Sequence, residues 1–281
     1  MNQRLVRTVL VVVCAVLLSG LSAAAGGLYF GVPLITLDLT TTLTQLPVAV
    51  NGVFDSLETT FTDLGVPPAE VSEIRAQFDQ SLADLQSFAS TFPAWVPVPL
   101  IGGGIEFGLP LSIIDGIRLS GGWLSGDLVR FASAVAGVDI PQPLIDFDWA
   151  IGEESANLLA DLDFSTWMVS TELVKRFDLF LFALNLGAGC DLIGGEILPT
   201  ISVAASPEMM VAVDAALDEL HLDALSWSSF AVHAMIGFEL GPPFLRLYGD
   251  IRWTVPLSQT ADWWGIRLGP VSALLGFVIR F

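Results

Sequence analysis

From Ser229 to Leu240 the chain alternates: Phe230, Val232, Ala234, Ile236, Phe238 and Leu240 fall on one face, and Ser229, His233, Gly237 and Glu239 on the other. Gly241-Pro242-Pro243 interrupts the pattern. It resumes with Leu245, Leu247, Ile251, Trp253 and Val255 on one side and Arg246, Tyr248, Asp250, Arg252 and Thr254 on the other. A period of two marks β-strands. One face is wholly apolar and the other carries charge, so the two faces meet different media. The pattern predicts strands set between lipid on the apolar side and a polar lumen on the other, as in a transmembrane barrel.

Composition narrows the choice further. The chain is 53% hydrophobic, above the roughly 45–50% of soluble domains. Yet past the N-terminal segment no apolar run is long enough for a spanning helix. The longest are Leu179 to Cys190, bounded by Asp178 and Asp191, and Leu268 to Ile279, bounded by Arg267 and Arg280. Both fall short of the roughly 20 residues a spanning helix needs. Phe88 to Ile105 is uncharged, but Pro93, Pro97 and Pro99 break it. Only helices and closed barrels pair every backbone polar group inside lipid. A membrane form of this chain must therefore be a barrel.

The final strand adds a class signal. Val271, Ala273, Leu275, Phe277, Ile279 and Phe281 share one face, and the sequence stops at Phe281. This resembles the terminal strand of bacterial outer-membrane barrels, with Phe277, Ile279 and Phe281 in the matching places. The resemblance covers that strand alone and implies a membrane-facing aromatic end that the barrel-insertion machinery reads. It also implies outer-membrane lipid as surroundings.

Five further segments complete the count. Leu28 to Leu39 is the first candidate strand. Ile105, Phe107, Leu109, Leu111 and Ile113 alternate with Glu106, Gly108, Pro110 and Ser112. Asp115-Gly116 reads as a tight turn, and Ile117 to Leu124 follows. Leu162 to Val174 and Leu179 to Gly189 flank a turn expected at Lys175-Arg176-Phe177-Asp178. Tight turns at one end and long connections over 41–103, 125–160, 190–227 and, shorter, 257–264 give eight antiparallel strands. Segments 144–150 and 195–205 would raise the count to ten. Pro33, Pro110 and Pro270 fall inside proposed strands and predict irregularities there.

Region 46–92 changes period. Val50, Val53, Phe54, Leu57, Phe61 and Leu64 follow helical spacing up to Gly65. Pro67-Pro68 opens a second stripe of Val71, Ile74, Phe78, Leu82, Leu85 and Phe88. Two amphipathic helices are expected, each with a face to bury, as a plug or lid of the barrel or as a cap packed on itself. Leu128 to Ala136 and Pro207 to Leu220 are shorter helical candidates, the latter with Ser206 as N-cap.

The N-terminus reads as an export signal over residues 1–25. Arg4 and Arg7 precede an apolar core from Val9 to Leu18, and Ser22-Ala23-Ala24-Ala25 supplies small residues. Removing the two leader arginines from 11 basic residues leaves 9 against 30 acidic ones, a net charge of −21. Such a chain is a poor partner for nucleic acid, which needs clustered Lys and Arg. Cys190 is the one cysteine left after the leader, so no intramolecular disulfide is available. One Cys and two His make no Cys/His-type metal site, and no cofactor motif is present.

The polar and charged residues of the alternating strands are expected to meet in the lumen: Arg118, His233, Glu239, Arg246, Tyr248, Asp250, Arg252 and Arg267. The arginines should pair with Glu106, Glu172, Glu239 or Asp250, and His233 with Asp250 or Tyr248 on the next strand. No catalytic set is assembled. Ser229 and His233 share a face, but four strand residues span roughly 13 Å. The expectation is a non-enzymatic outer-membrane barrel, either a passive path for small or hydrophobic solutes with a helical plug or lid, or an OmpA-like structural or adhesive surface barrel. A lipid-modifying enzyme is the third class and lacks its residues. A lumen of eight strands is filled by side chains, whereas a path needs more.

Overall fold

The computed structural model describes residues 26–63, 65–91, 94–109, 111–127, 145–151, 154–204, 225–261 and 266–281. The expected leader and the helices expected at 128–136 and 207–220 lie outside the described residues. In chain order the elements are β1 (Gly26–Asp38), α1 (Thr40–Asp63), α2 (Pro68–Thr91), β2 (Val96–Pro99), β3 (Ile101–Gly108), β4 (Gly116–Asp127), β5 (Ile145–Ile151) and β6 (Glu154–Leu179). There follow β7 (Phe182–Ala204), β8 (Leu225–Leu240), β9 (Leu245–Ala261), β10 (Arg267–Leu268) and β11 (Val271–Arg280).

Eight strands close into one antiparallel ring in the order β1, β3, β4, β6, β7, β8, β9, β11 and back to β1. The closure is complete between β1 and the end of β11, where Gly26 and Phe281 exchange backbone hydrogen bonds of 3.0 and 3.2 Å. β2 and β10 continue β3 and β11 along the two sides of β1. Of the segment expected at 195–205, residues 195–204 are the upper part of β7, and of that at 144–150, residues 145–150 fall in β5, which pairs outside the ring with β6. The ring therefore has eight strands, not ten.

The faces follow the alternation. Phe230, Val232, Ile236, Phe238 and Leu240 are exposed on β8, and Ser229, His233 and Glu239 are buried. On β9 Leu245, Leu247, Ile251, Trp253 and Val255 are exposed while Arg246, Tyr248, Asp250, Arg252 and Thr254 are buried. Burial of charge inside and exposure of Leu, Ile and Phe outside inverts a soluble protein, and it is stable only with lipid around the ring.

Close approach of the wall needs glycine at β1 and β11. A Cβ on Gly276 would lie 2.1 Å from the Phe30 carbonyl oxygen and 2.6 Å from the Gly31 Cα. Both atoms are backbone, so nothing can swing aside. Gly276→Ala is expected to cost about 1–3 kcal/mol, the range for forced overpacking. A lowered urea midpoint in lipid vesicles with an unchanged slope would register it.

Two turns differ from expectation. β3 ends at Gly108, so the connection to β4 is longer than an Asp115-Gly116 turn, and it is closed by Leu109 N–H on the Asp115 carbonyl at 2.7 Å. Lys175 to Asp178 is strand, and the turn is Phe180-Leu181. Lys175 binds Asp115 at 3.0 Å and Arg246 binds Asp178 at 2.6 Å. The polar run is thus used laterally and by the lumen rather than by a turn. Pro110 lies outside the described residues; the other two prolines fall where pairing breaks, Pro270 between β10 and β11, and Pro33 where Leu100, between β2 and β3, donates to its carbonyl at 2.7 Å.

The two helices lie beyond the end opposite the short turns, called here the upper end. α1 begins six residues before the expected 46, because Asp38 accepts the Thr40 amide at 2.9 Å and Leu43 is buried. Gly65 ends the first helix at φ 79°. The stripes pack face to face, with Phe54 and Phe78 stacked at 4.0 Å. β5 and upper β6 add Phe147, Trp149, Ala156 and Leu158 to the same core, which runs down into the barrel mouth through Ile35, Leu37, Met168, Ile193, Ile197 and Trp227. The helices thus cap the strand extension, and their core continues into the upper lumen. Among the described residues no helix is long and apolar enough to cross a membrane.

Candidate functional site: the lumen ion network

Below that apolar mouth the lumen is polar. Its centre is Arg118 on β4, fully enclosed, with Nη1 3.1 Å from Glu172 and Nη2 3.2 Å from Glu106. The guanidinium lies over the rings of Tyr29 and Tyr248, 4.2 and 4.6 Å from their centroids, and hydrogen bonds to both hydroxyls. The two rings meet edge to face at 5.1 Å. A planar cation with five donors suits such a cage, because it stacks and forks at once.

The network spreads from there. Arg252 donates to Asp250 at 3.0 Å and to Ser170 at 3.3 Å, and its Nη2 lies 2.7 Å from Glu172. Toward the lower end Arg280 bridges Glu106 at 2.9 Å, Glu239 at 3.0 Å and the Tyr29 hydroxyl at 2.9 Å. Arg246 reaches Asp178, Glu239 and the Phe180 carbonyl at 3.0 Å. Asn185 donates to Glu239 at 3.1 Å. Buried ions are tolerable only when paired and hydrogen bonded, and here Glu106, Glu172, Glu239 and Asp250 each meet at least one arginine.

Of the eight lumen candidates, Arg118, His233, Glu239, Arg246, Tyr248, Asp250 and Arg252 point inward and are buried. Arg267 does not. It is exposed on β10, opposite Asp38, while its neighbour Leu268 turns inward. His233 meets neither Asp250 nor Tyr248. Its Nδ1 is 2.7 Å from Asp191 and its Nε2 3.6 Å from Glu172. The reason is space: its partner on β7 is Gly189, and a Cβ there would lie 3.0 Å from the His233 Cε1. The ring lies over that bare position and reaches along β7. Phe277, Ile279 and Phe281 are exposed on the outer face of the last strand and at its end.

Tyr29, Asn185, Asp191 and Arg280 belong to the network without having been singled out. The signal for Arg280 was available, since it shares parity with Ser272, Leu274 and Val278, which face inward. For nucleophilic chemistry the arrangement offers little. Ser229 donates to the Ser258 carbonyl at 3.3 Å and does not engage a histidine. Among the described residues no group of three or more His, Cys, Asp or Glu is placed to hold a metal.

No family model matches the chain, and no curated protein does. A solved structure that matches is Ail, the attachment invasion locus protein of Yersinia pestis, in complex with the heparin analogue sucrose octasulfate. It is 8% identical, the match covers 92% of this chain and 99% of that one, and the TM-score is 0.38.

Proposed function

We propose that the protein is a non-enzymatic barrel of a bacterial outer membrane, with its short turns and chain ends in the periplasm. Its closed lumen anchors an acidic cap outside the cell. In this reading the barrel is a structural or adhesive surface protein rather than a passive path for solutes. The observation that carries it is the lumen filling: interlocked arginines and carboxylates below, and an apolar core continuous with the cap above. Interiors of eight-stranded barrels are just wide enough for side chains to fill. The cap supports the display role. Glu70, Glu73, Asp79, Asp84, Asp146 and Asp148 are exposed on it, whereas Arg75 is engaged by Asp55, Glu58 and Asp79. Assembly is read as proceeding through the outward aromatic terminus at Phe277 and Phe281.

A planar bilayer separates this from the path reading. The full chain is expected to show no ion conductance above the bare membrane. A chain with α1 and α2 replaced by a short Gly-Ser linker should stay closed as well, because the ion network lies below the excised part. Open-channel steps in the shortened chain would replace the proposal with a gated path whose plug is the helix pair.

A further inference from the structure

The three turns at the lower end are almost without charge. They read Leu109-Pro-Leu-Ser-Ile-Ile-Asp115, Phe180-Leu181 and Gly241-Pro-Pro-Phe244, and Asp115 is the one ionisable residue among them. That carboxylate is half-buried and paired, accepting from Lys175 and from the Arg176 amide at 3.0 and 2.7 Å. The apolar side chains do look outward: Ile113 is 80% exposed, Phe180 79%, Phe244 65% and Leu111 55%. Turns that dip into water favour Gly, Asn, Asp and Ser. These do the opposite.

Phe180 adds an independent mark. Its φ is 61°, a conformation that the first residues of tight hairpin turns usually assign to Gly or Asn. A bulky residue there is strained. The strain holds a benzyl group out from the tip while the backbone carbonyl of the same residue accepts from Arg246 inside the barrel.

Resting on the outer-membrane reading above, we infer that this lower rim is immersed in the lipid of the periplasmic leaflet. Its turns form an apolar collar rather than projecting into water. Distribution selects lipid over a protein partner. The turns join β3 to β4, β6 to β7 and β8 to β9, and Phe281, 55% exposed, closes β11 beside the start of β1. Seven of the eight ring strands therefore end at an apolar tip. A protein partner would bind one side, whereas a bilayer surrounds all of them. The collar is also continuous with the belt above it, through Leu240, Leu245 and Ile279. The charged side chains at this level are all paired, laterally as Lys175 with Asp115 and Arg176 with Asp178, and centrally where Arg246, Arg280 and Glu239 close the floor.

Nitroxide labels placed singly test the inference in vesicles of phosphatidylethanolamine and phosphatidylglycerol. The background is Cys190→Ser, and the sites are Ile113→Cys, Phe180→Cys and Phe244→Cys, with Leu181→Cys replacing Phe180→Cys if that variant does not fold. Ile236→Cys marks the belt and Asp84→Cys the cap. All three rim labels are expected to collide with oxygen as the belt label does, and with a water-soluble nickel chelate several-fold less often than the cap label. Rim labels as open to nickel as the cap label, with the belt label still shielded, would overturn the collar and leave the barrel intact. Shielding at one rim site alone would also overturn it, in favour of a one-sided protein contact. A belt label open to nickel would instead refute the barrel reading itself.

Discussion

Arg118→Met is expected to cost about 3–5 kcal/mol of stability, the scale for removing one partner from a buried ion pair. Arg118 faces Glu172 and Glu106 at 3.1 and 3.2 Å and Asp250 at 3.8 Å. With Met in its place Glu172 and Asp250 keep Arg252 and Glu106 keeps Arg280, but no cation lies between the tyrosine rings and the three carboxylates share one positive charge fewer. Methionine is close in length, so lost packing is the smaller part and the lost cation the larger. Two further variants separate these contributions. Arg118→Lys restores the charge but not the forked donors or the stacking, and should recover part of the loss. Arg118→Met combined with Glu172→Gln removes one of the excess negative charges and should be more stable than Arg118→Met alone, a non-additivity expected of residues in one network. Urea titration in vesicles measures all three. An Arg118→Met barrel that unfolds at the midpoint of the unchanged protein would mean that the network carries no stability.

The eight ring strands could be read from period-two alternation because lipid and lumen impose opposite demands on neighbouring residues along every strand. The same cause accounts for the buried partners: of the eight residues assigned to the lumen, seven are buried. Arg267 was assigned by charge alone. Phase would have placed it outside, since the inward residues of β11 are even-numbered and Leu268 keeps that parity across Gly269 and Pro270. The turns were misplaced for the reverse reason. A polar run at Lys175 to Asp178 looks like a turn and an apolar pair at Phe180-Leu181 looks like strand, yet at this rim the polar side chains are consumed laterally and in the lumen while the tips stay apolar. The strand extension above the ring was legible only in pieces, at 144–150 and 195–205. There one face of β5 and β6 packs on helices rather than lining a lumen, so nothing local says whether the strand joins the ring. His233 shows the limit of single-strand reasoning. Both neighbouring strands were open to it, and a glycine on β7 decided the matter.

Ile236→Arg and Glu196→Arg should differ by about 2–4 kcal/mol, the cost of arginine at mid-bilayer on a lipid face. Both positions face outward, so the contrast isolates depth. Ile236 belongs to a cross-strand row with Leu186 and Ile251, all exposed and apolar. That row lies well inside the belt, between the Phe-rich lower rim and an upper level marked by the cross-strand pair Trp123 and Trp167. Glu196 is on β7, ten residues above Leu186, exposed and flanked by Ser165 and Ser226 on the adjacent strands. A carboxylate with serine neighbours indicates water or headgroups, where a second charged group is nearly neutral in cost. The expected result is impaired assembly and a lowered urea midpoint for Ile236→Arg, with Glu196→Arg close to the unchanged protein. A soluble protein would give a different order, since an exposed isoleucine on a water-facing sheet accepts arginine with little loss. Equal tolerance at the two sites would therefore remove lipid from around the ring, and with it the reason for its inverted burial.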